Sequence, residues 1–159
     1  PYLLEVLNDT NIEVKLKAAS TLPYYGEFVK SLEVINKFIF ESNTKTLGEC
    51  LAALREIGNS TSINTIKQYI TNPSKDEFYY VFALVILAQL GEYDFVFPML
   101  KESLKSQDES DRGGAINGLS YIGDTRTLDL LYEHSKIEKV SRLRERCLTI
   151  LKDYNYVPE

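Results

Sequence analysis

Ala115-Ile116-Asn117-Gly118-Leu119-Ser120-Tyr121-Ile122-Gly123-Asp124 is the stretch on which the fold turns. Ala115, Ile116, Leu119 and Ile122 recur at helical spacing, and the run stops at a glycine, the residue that most easily closes a helix in the left-handed conformation. Glycines recur in the same role at Gly26, Gly58 and Gly91, so that the four markers stand 32, 33 and 32 residues apart. Another 32 residues on lies Asn155, the second residue type that tolerates this backbone.

The residues before the markers repeat as well. Four positions back are Leu22, Leu54, Leu87, Leu119 and Leu151, a leucine in every copy. Eight back are Ala18, Cys50, Ala83, Ala115 and Cys147, all small. Seven back stand Ala19, Leu51, Leu84, Ile116 and Leu148, and one back Tyr25, Ile57, Leu90, Ile122 and Tyr154. Offsets of 1, 4, 7 and 8 make one stripe of an α-helix, and a small residue in every copy predicts close approach between neighbouring helices. Cys50 and Cys147 occupy that small position, where a free thiol packs as a small hydrophobe.

Each interval has room for another helix. Apolar-periodic stretches cover roughly Phe28–Glu41, Ser60–Thr71, Tyr93–Ser106 and Thr125–Ser135, and Tyr2–Asn8 reads as the first helix of copy one. The polar connectors Asp9-Thr10-Asn11, Asn43-Thr44, Asn72 to Asp76 and Gln107 to Ser110 supply N-caps for the next helix. The chain therefore reads as one all-α domain, 1–159, of ten helices in five pairs, with repeats at approximately 1–26, 27–58, 59–91, 92–123 and 124–155. Phe78–Leu87 has the Val, Ile, Phe and Tyr content of a buried strand, and its place in the repeat overrides that propensity.

Composition narrows the function. Hydrophobic residues make up 44% and charged residues 26%, ordinary for a globular protein. The longest apolar run, Val81 to Ala88, is far short of the roughly 20 residues that span a bilayer, so no membrane association is expected. No charged-then-apolar leader opens the chain, which points to a cytoplasmic location. A net charge of -5 argues against general nucleic-acid binding. Two cysteines and one histidine suggest neither a disulfide framework nor a metal centre, and no cofactor is expected.

Asp9, Val14-Lys15, Ala18-Ala19 and Leu22 in copy one, and Asp111-Arg112, Ala115, Leu119, Ile122-Gly123-Asp124, Leu128 and Leu131 across copies four and five, resemble the short HEAT-like repeats first named from phycobilisome lyases. Leu143-Arg144 repeats the apolar-then-basic pair, and Pro98 resembles the proline that often kinks the first helix of such repeats. Copies two and three depart from the pattern, with Leu47 and Tyr80 where a basic residue is expected. Tetratricopeptide and ankyrin signatures do not align. The resemblance implies a right-handed α-α superhelix, a solenoid whose second helices line a concave face, and a non-enzymatic scaffold for a protein or peptide.

On that implication the positions two, three and six before each marker face the partner, which gives Tyr24, Arg55, Val85, Gln89 and Tyr121; Phe82 from the apolar third copy and Arg142 and Arg146 from the basic last copy complete the candidate contacts. The second helix of copy three, Glu77 to Ala88, is apolar nearly all round. It is either the centre of the core or, through Phe78, Phe82 and Val85, an open apolar patch. Gly118 fits close helix packing, whereas Gly113-Gly114 could serve packing or make room for a ligand. Lys136 to Lys152 carries six basic against two acidic residues, a face for an acidic segment or simply a solvated helix. Tyr2, Leu3 and Leu4 leave the front poorly capped, so homodimerisation through a terminal repeat is expected as one option.

Enzymes that use HEAT-like stacks carry functional residues that this chain matches poorly. Deoxyhypusine hydroxylases carry repeated His-Glu pairs for two irons, and here only Glu133-His134 occurs. His134 reads as a surface residue near a helix terminus. HEAT-like DNA glycosylases need a basic aromatic concavity with a carboxylate, and the concavity expected here is mostly neutral. A phycobilin-lyase-like enzyme or enzyme subunit, with a tetrapyrrole in an apolar groove, or a DNA-glycosylase-like one, is the alternative.

Overall fold

The computed structural model describes residues 2–40, 44–72 and 77–158. These residues form ten α-helices and no strand. They are α1 (Tyr2–Val6), α2 (Ile12–Thr21), α3 (Phe28–Phe38), α4 (Thr44–Ile57), α5 (Ser60–Thr71), α6 (Tyr80–Gln89), α7 (Tyr93–Ser103), α8 (Glu109–Ile122), α9 (Thr125–Ile137) and α10 (Ser141–Asp153). Short 3-10 turns at Leu22–Tyr25 and Glu77–Tyr79 follow α2 and precede α6. The strand-like composition at Phe78–Leu87 is thus overridden. No helix among the described residues is long and apolar enough to cross a membrane. The chain divides into two compact units, Pro1–Ile86 and Leu87–Glu159, with the division inside α6.

The markers do what their chemistry predicts. Gly26, Gly58, Gly91, Gly123 and Asn155 all have positive φ, and Asn155, at 51°, is the only non-glycine among the described residues to do so. The leucine four positions earlier serves each closure twice. Its side chain is buried in all five copies, at 0–6% exposure. Its carbonyl takes the closing hydrogen bond: Leu54 and Leu119 accept from Gly58 N and Gly123 N at 3.0 and 3.1 Å. Leu22, Leu87 and Leu151 accept from the residue after the marker, namely Glu27 N, Glu92 N and Tyr156 N, at 3.2, 3.0 and 2.9 Å. These are the two common ways of satisfying the free carbonyls at a helix end.

Helix starts follow from capping residues. The Oδ1 atoms of Asn11, Asn59, Asp108 and Asp124 accept backbone N–H bonds and cap α2, α5, α8 and α9. Asn43 and Pro73–Asp76 lie outside the described residues. Several ends differ from the periodicity: α1 stops at Val6, α7 at Ser103, and α9 runs on to Ile137. The end predicted for α3 at Glu41 lies outside the described residues.

The small position is fully occupied by packing, with Ala18, Cys50, Ala83, Ala115 and Cys147 at 0–3% exposure. Neither Cys50 nor Cys147 is in a disulfide. Burial pushes the Cys147 thiol up to about 11, as expected for a packing residue. Two other columns fail at the ends. Tyr25 is 73% exposed because Leu22–Tyr25 winds as a 3-10 turn led by Pro23, which breaks the 3.6-residue stripe. Leu148 is 50% exposed, in a shallow depression with Tyr132, Leu151 and Val157.

Within each unit, cognate helices are neighbours: α2 packs on α4 in the first and α8 on α10 in the second. Cognate positions even touch. Lys17 and Glu49, each nine before its marker, form an ion pair. Asp94 and Arg126, each three after its marker, form another at 2.8 Å. Gly118 allows close approach, since a Cβ there would lie 2.7 Å from the buried Leu100 side chain. A Cβ at Gly113 would lie 3.3 Å from Leu143, so this glycine too sits against a neighbouring helix.

Candidate functional site

The eight sequence-derived contacts separate between the units. In the first, Tyr24 lies exposed in the Leu22–Tyr25 turn, Arg55 is exposed on α4, and Phe82 and Val85 lie on α6. Phe82 is 36% exposed and Val85 half-buried, while Phe78 stands 75% exposed. Tyr79 joins both phenylalanines edge to face, at 5.0 Å from Phe78 and 6.1 Å from Phe82. Its ring in turn covers Gly48, where any Cβ would collide with it at 2.8 Å. Apolar surface is thus exposed at Phe78, in the turn before α6, and at Phe82 within it. Val81, Ala83, Leu84, Ile86, Leu87 and Ala88 are core.

In the second unit, Gln89 is exposed at the end of α6, and three contacts converge on the α8–α10 pair. Asn117 and Tyr121 are one turn apart on α8, and Arg142 and Arg146 one turn apart on α10, so each pair shares a helix face. Arg146 Nε donates to Asn117 Oδ1 at 3.2 Å, and Arg142 forms an ion pair with Glu109 at the start of α8. Tyr121 remains 46% exposed beside them. At the end of the strip, Tyr154 Oη donates to the carbonyl of Ser120 at 2.7 Å. The result is an exposed band carrying an aromatic ring, an amide and two guanidinium groups on rigid helices, the mixture that recognition surfaces use. Not every inward-facing position predicted from the repeat is open: Ser20, Pro23 and Ala88 are buried.

The basic run from Lys136 to Lys152 is largely answered locally. Lys136 pairs with Glu133, Arg142 with Glu109, and Arg144 Nη1 donates to the Glu138 carbonyl at 3.1 Å. Beneath it lies a buried cluster that sequence reasoning missed. Glu138, 5% exposed, accepts Arg112 Nε and Nη2 at 2.9 and 3.2 Å, a two-pronged pair. It also accepts Val140 N at 2.9 Å and meets His134 Nε2 at 3.0 Å. His134 is thus 8% exposed, not a surface residue. Donation from Arg112, with further help from Val140 N and His134, holds the Glu138 carboxyl at about 2. The sequence did hold one signal: Val140, the residue before α10, brings no side-chain acceptor to the helix start, and Glu138 two residues back is the nearest one, accepting Val140 N.

Arg112 also donates to the Ser106 and Gln107 carbonyls at 3.0 and 3.1 Å. Every arm of this cluster is committed to protein groups, so it fastens the α9–α10 turn to the start of α8. Among the described residues, no group of three or more His, Cys, Asp and Glu side chains could hold a metal ion.

The molecule so described belongs to the all-α class, built of short helices closed at regular intervals. The sequence matches no protein-family model and no curated protein. Solved structures do resemble it: the crystal structure of an engineered protein from the Northeast Structural Genomics Consortium aligns over 97% of this chain and 84% of its own, with a TM-score of 0.56 and 14% identity. That likeness speaks to fold alone.

Proposed function

We propose that the chain is a HEAT-like solenoid of five helical pairs and a non-enzymatic scaffold that binds a protein or peptide along the face of its second helices. The stacked reading is supported by the contacts between cognate positions, Lys17 with Glu49 and Asp94 with Arg126, which are what translation by one repeat produces. The observation that carries the binding reading is the α8–α10 band, where Tyr121 stands exposed one turn from the Asn117–Arg146 bond. Tyrosine and arginine on rigid helices contribute affinity with little ordering cost, and the partly neutralised arginines favour an acidic partner segment.

Replacing Tyr121 by the photo-crosslinking residue p-benzoylphenylalanine tests this. Irradiation in cell extract should join the chain to a protein, and the purified partner should then bind the Tyr121→Ala, Arg146→Ala double variant at least tenfold more weakly. Unchanged affinity in a folded double variant removes this band from the function.

A further inference from the structure

Leu148 breaks the pattern of its own column. Its cognates Ala19, Leu51, Leu84 and Ile116 are all 0% exposed, whereas Leu148 is 50% exposed on α10. The charges around it are ordered. Arg144 and Glu145 lie one turn before Leu148, and Lys152 and Asp153 one turn after it, all on the exposed side of the helix together with Thr149. Nearby Lys136 and Arg142 are answered by Glu133 and Glu109, but among the described residues none of these four takes part in an ion pair. Arg144 donates to the Glu138 carbonyl at 3.1 Å and Glu145 accepts from the Ser141 hydroxyl at 3.3 Å, both neutral groups. The stripe therefore runs basic-acidic, apolar, basic-acidic, and turned end for end it sets each charge against its opposite.

We infer that α10 packs against α10 of a second copy of this chain, antiparallel about a two-fold axis between Leu148 and Thr149. Glu145 then meets the partner's Lys152, and Arg144 meets the partner's Asp153. A face of zero net charge favours neither an acidic nor a basic segment, whereas its order of signs fits its own reverse, the condition for a two-fold contact. Burial of Leu148 supplies attraction, and the exposed ion pairs fix direction and register. At about 100° per residue Leu148 stands roughly 160° round the helix from Arg146, so it does not serve the α8–α10 band. One helix of 13 residues, about 20 Å long, presents less than the roughly 1,200–2,000 Å² of a stable interface, so the dimer is weak and reversible.

Sedimentation equilibrium of the full chain, from about 10 µM to about 1 mM at low salt, tests the pairing and should show a monomer–dimer equilibrium. Glu145→Lys and Lys152→Glu each set like charges face to face twice, by symmetry, and each should weaken the dimer at least tenfold. Mixed in equal amounts, these two variants should pair with each other about as tightly as the native chain pairs with itself, because every facing pair is again of opposite sign. The double variant should regain self-association for the same reason, and Leu148→Asp should abolish it. All three positions are exposed, so the variants should keep the native circular dichroism. A chain that stays monomeric across the range overturns the inference. So does an association that the single reversals leave intact, which places the contact on another face, or a mixture that fails to pair.

Discussion

Glu138→Gln is the substitution with the most calculable outcome. The native carboxylate is 5% exposed and bound by Arg112, Val140 N and His134, so glutamine keeps the volume while deleting a charge that faces a guanidinium. Removing one partner of a buried pair leaves the other uncompensated, at a typical cost of about 3–5 kcal/mol. An independent route uses the carboxyl's position at about 2 rather than 4.5, a difference that corresponds to about 3 kcal/mol at roughly 1.4 kcal/mol per unit. Arg112 keeps the Ser106 and Gln107 carbonyls, which favours the lower figure. The expected loss is therefore about 3 kcal/mol at pH 7, or about 1.5 M in the urea midpoint for a slope near 2 kcal/mol per M.

The pH dependence follows with its sign. The folded carboxyl is more acidic than the unfolded one, so on acidification the unfolded chain takes up the proton first. The contribution is complete above about pH 4.5 and drains away as pH falls toward 2. Urea titrations of both proteins between pH 7 and pH 2.5, followed by circular dichroism, should show the gap closing across that window. A gap under about 0.5 kcal/mol at pH 7, or one that does not narrow with acid, refutes the assignment of Glu138 as a buried fastener.

Other substitutions separate packing from surface. Leu119→Ala, at a fully buried position, should cost about 2–5 kcal/mol, whereas Leu148→Ala, half-exposed in the cognate helix, should cost less than about 1.5; thermal melts compare them. Gly123→Ala should cost about 2 kcal/mol, since φ is 63° and the Tyr154 ring fills the space of the new Cβ; Tyr154→Ala should relieve part of that loss in a double-mutant cycle. Cys50 and Cys147 should resist a disulfide reagent at pH 8 in the folded protein and react promptly in urea; fast native labelling would contradict their burial.

The repeat was legible wherever one short-range rule settles the residue. A leucine that fills the core and accepts the closing hydrogen bond is needed five times, so Leu22, Leu54, Leu87, Leu119 and Leu151 stand out without coordinates. The alanine and cysteine column follows from helix approach alone. Periodicity could not foresee that Pro23 would tighten the end of α2 into a 3-10 turn and expose Tyr25, because that is decided by one residue against its frame. Nor could it pair Glu138 with Arg112 or bury His134, which depend on how the α9–α10 turn meets α8 across 26 residues. On the candidate band, the exposure of Tyr121 follows from its place two before the marker, whereas periodicity could not place Arg142 against Glu109 or Arg146 against Asn117, contacts between different helices.

On the α8–α10 band the arginines are exposed and already bonded to Glu109 and Asn117, so a partner gains mainly orientation and contact there, with salt weakening the charged share. The salt dependence of the affinity measures that share: a steep loss with rising ionic strength would show that the guanidinium groups carry the binding, against a surface read mainly through contact at Tyr121.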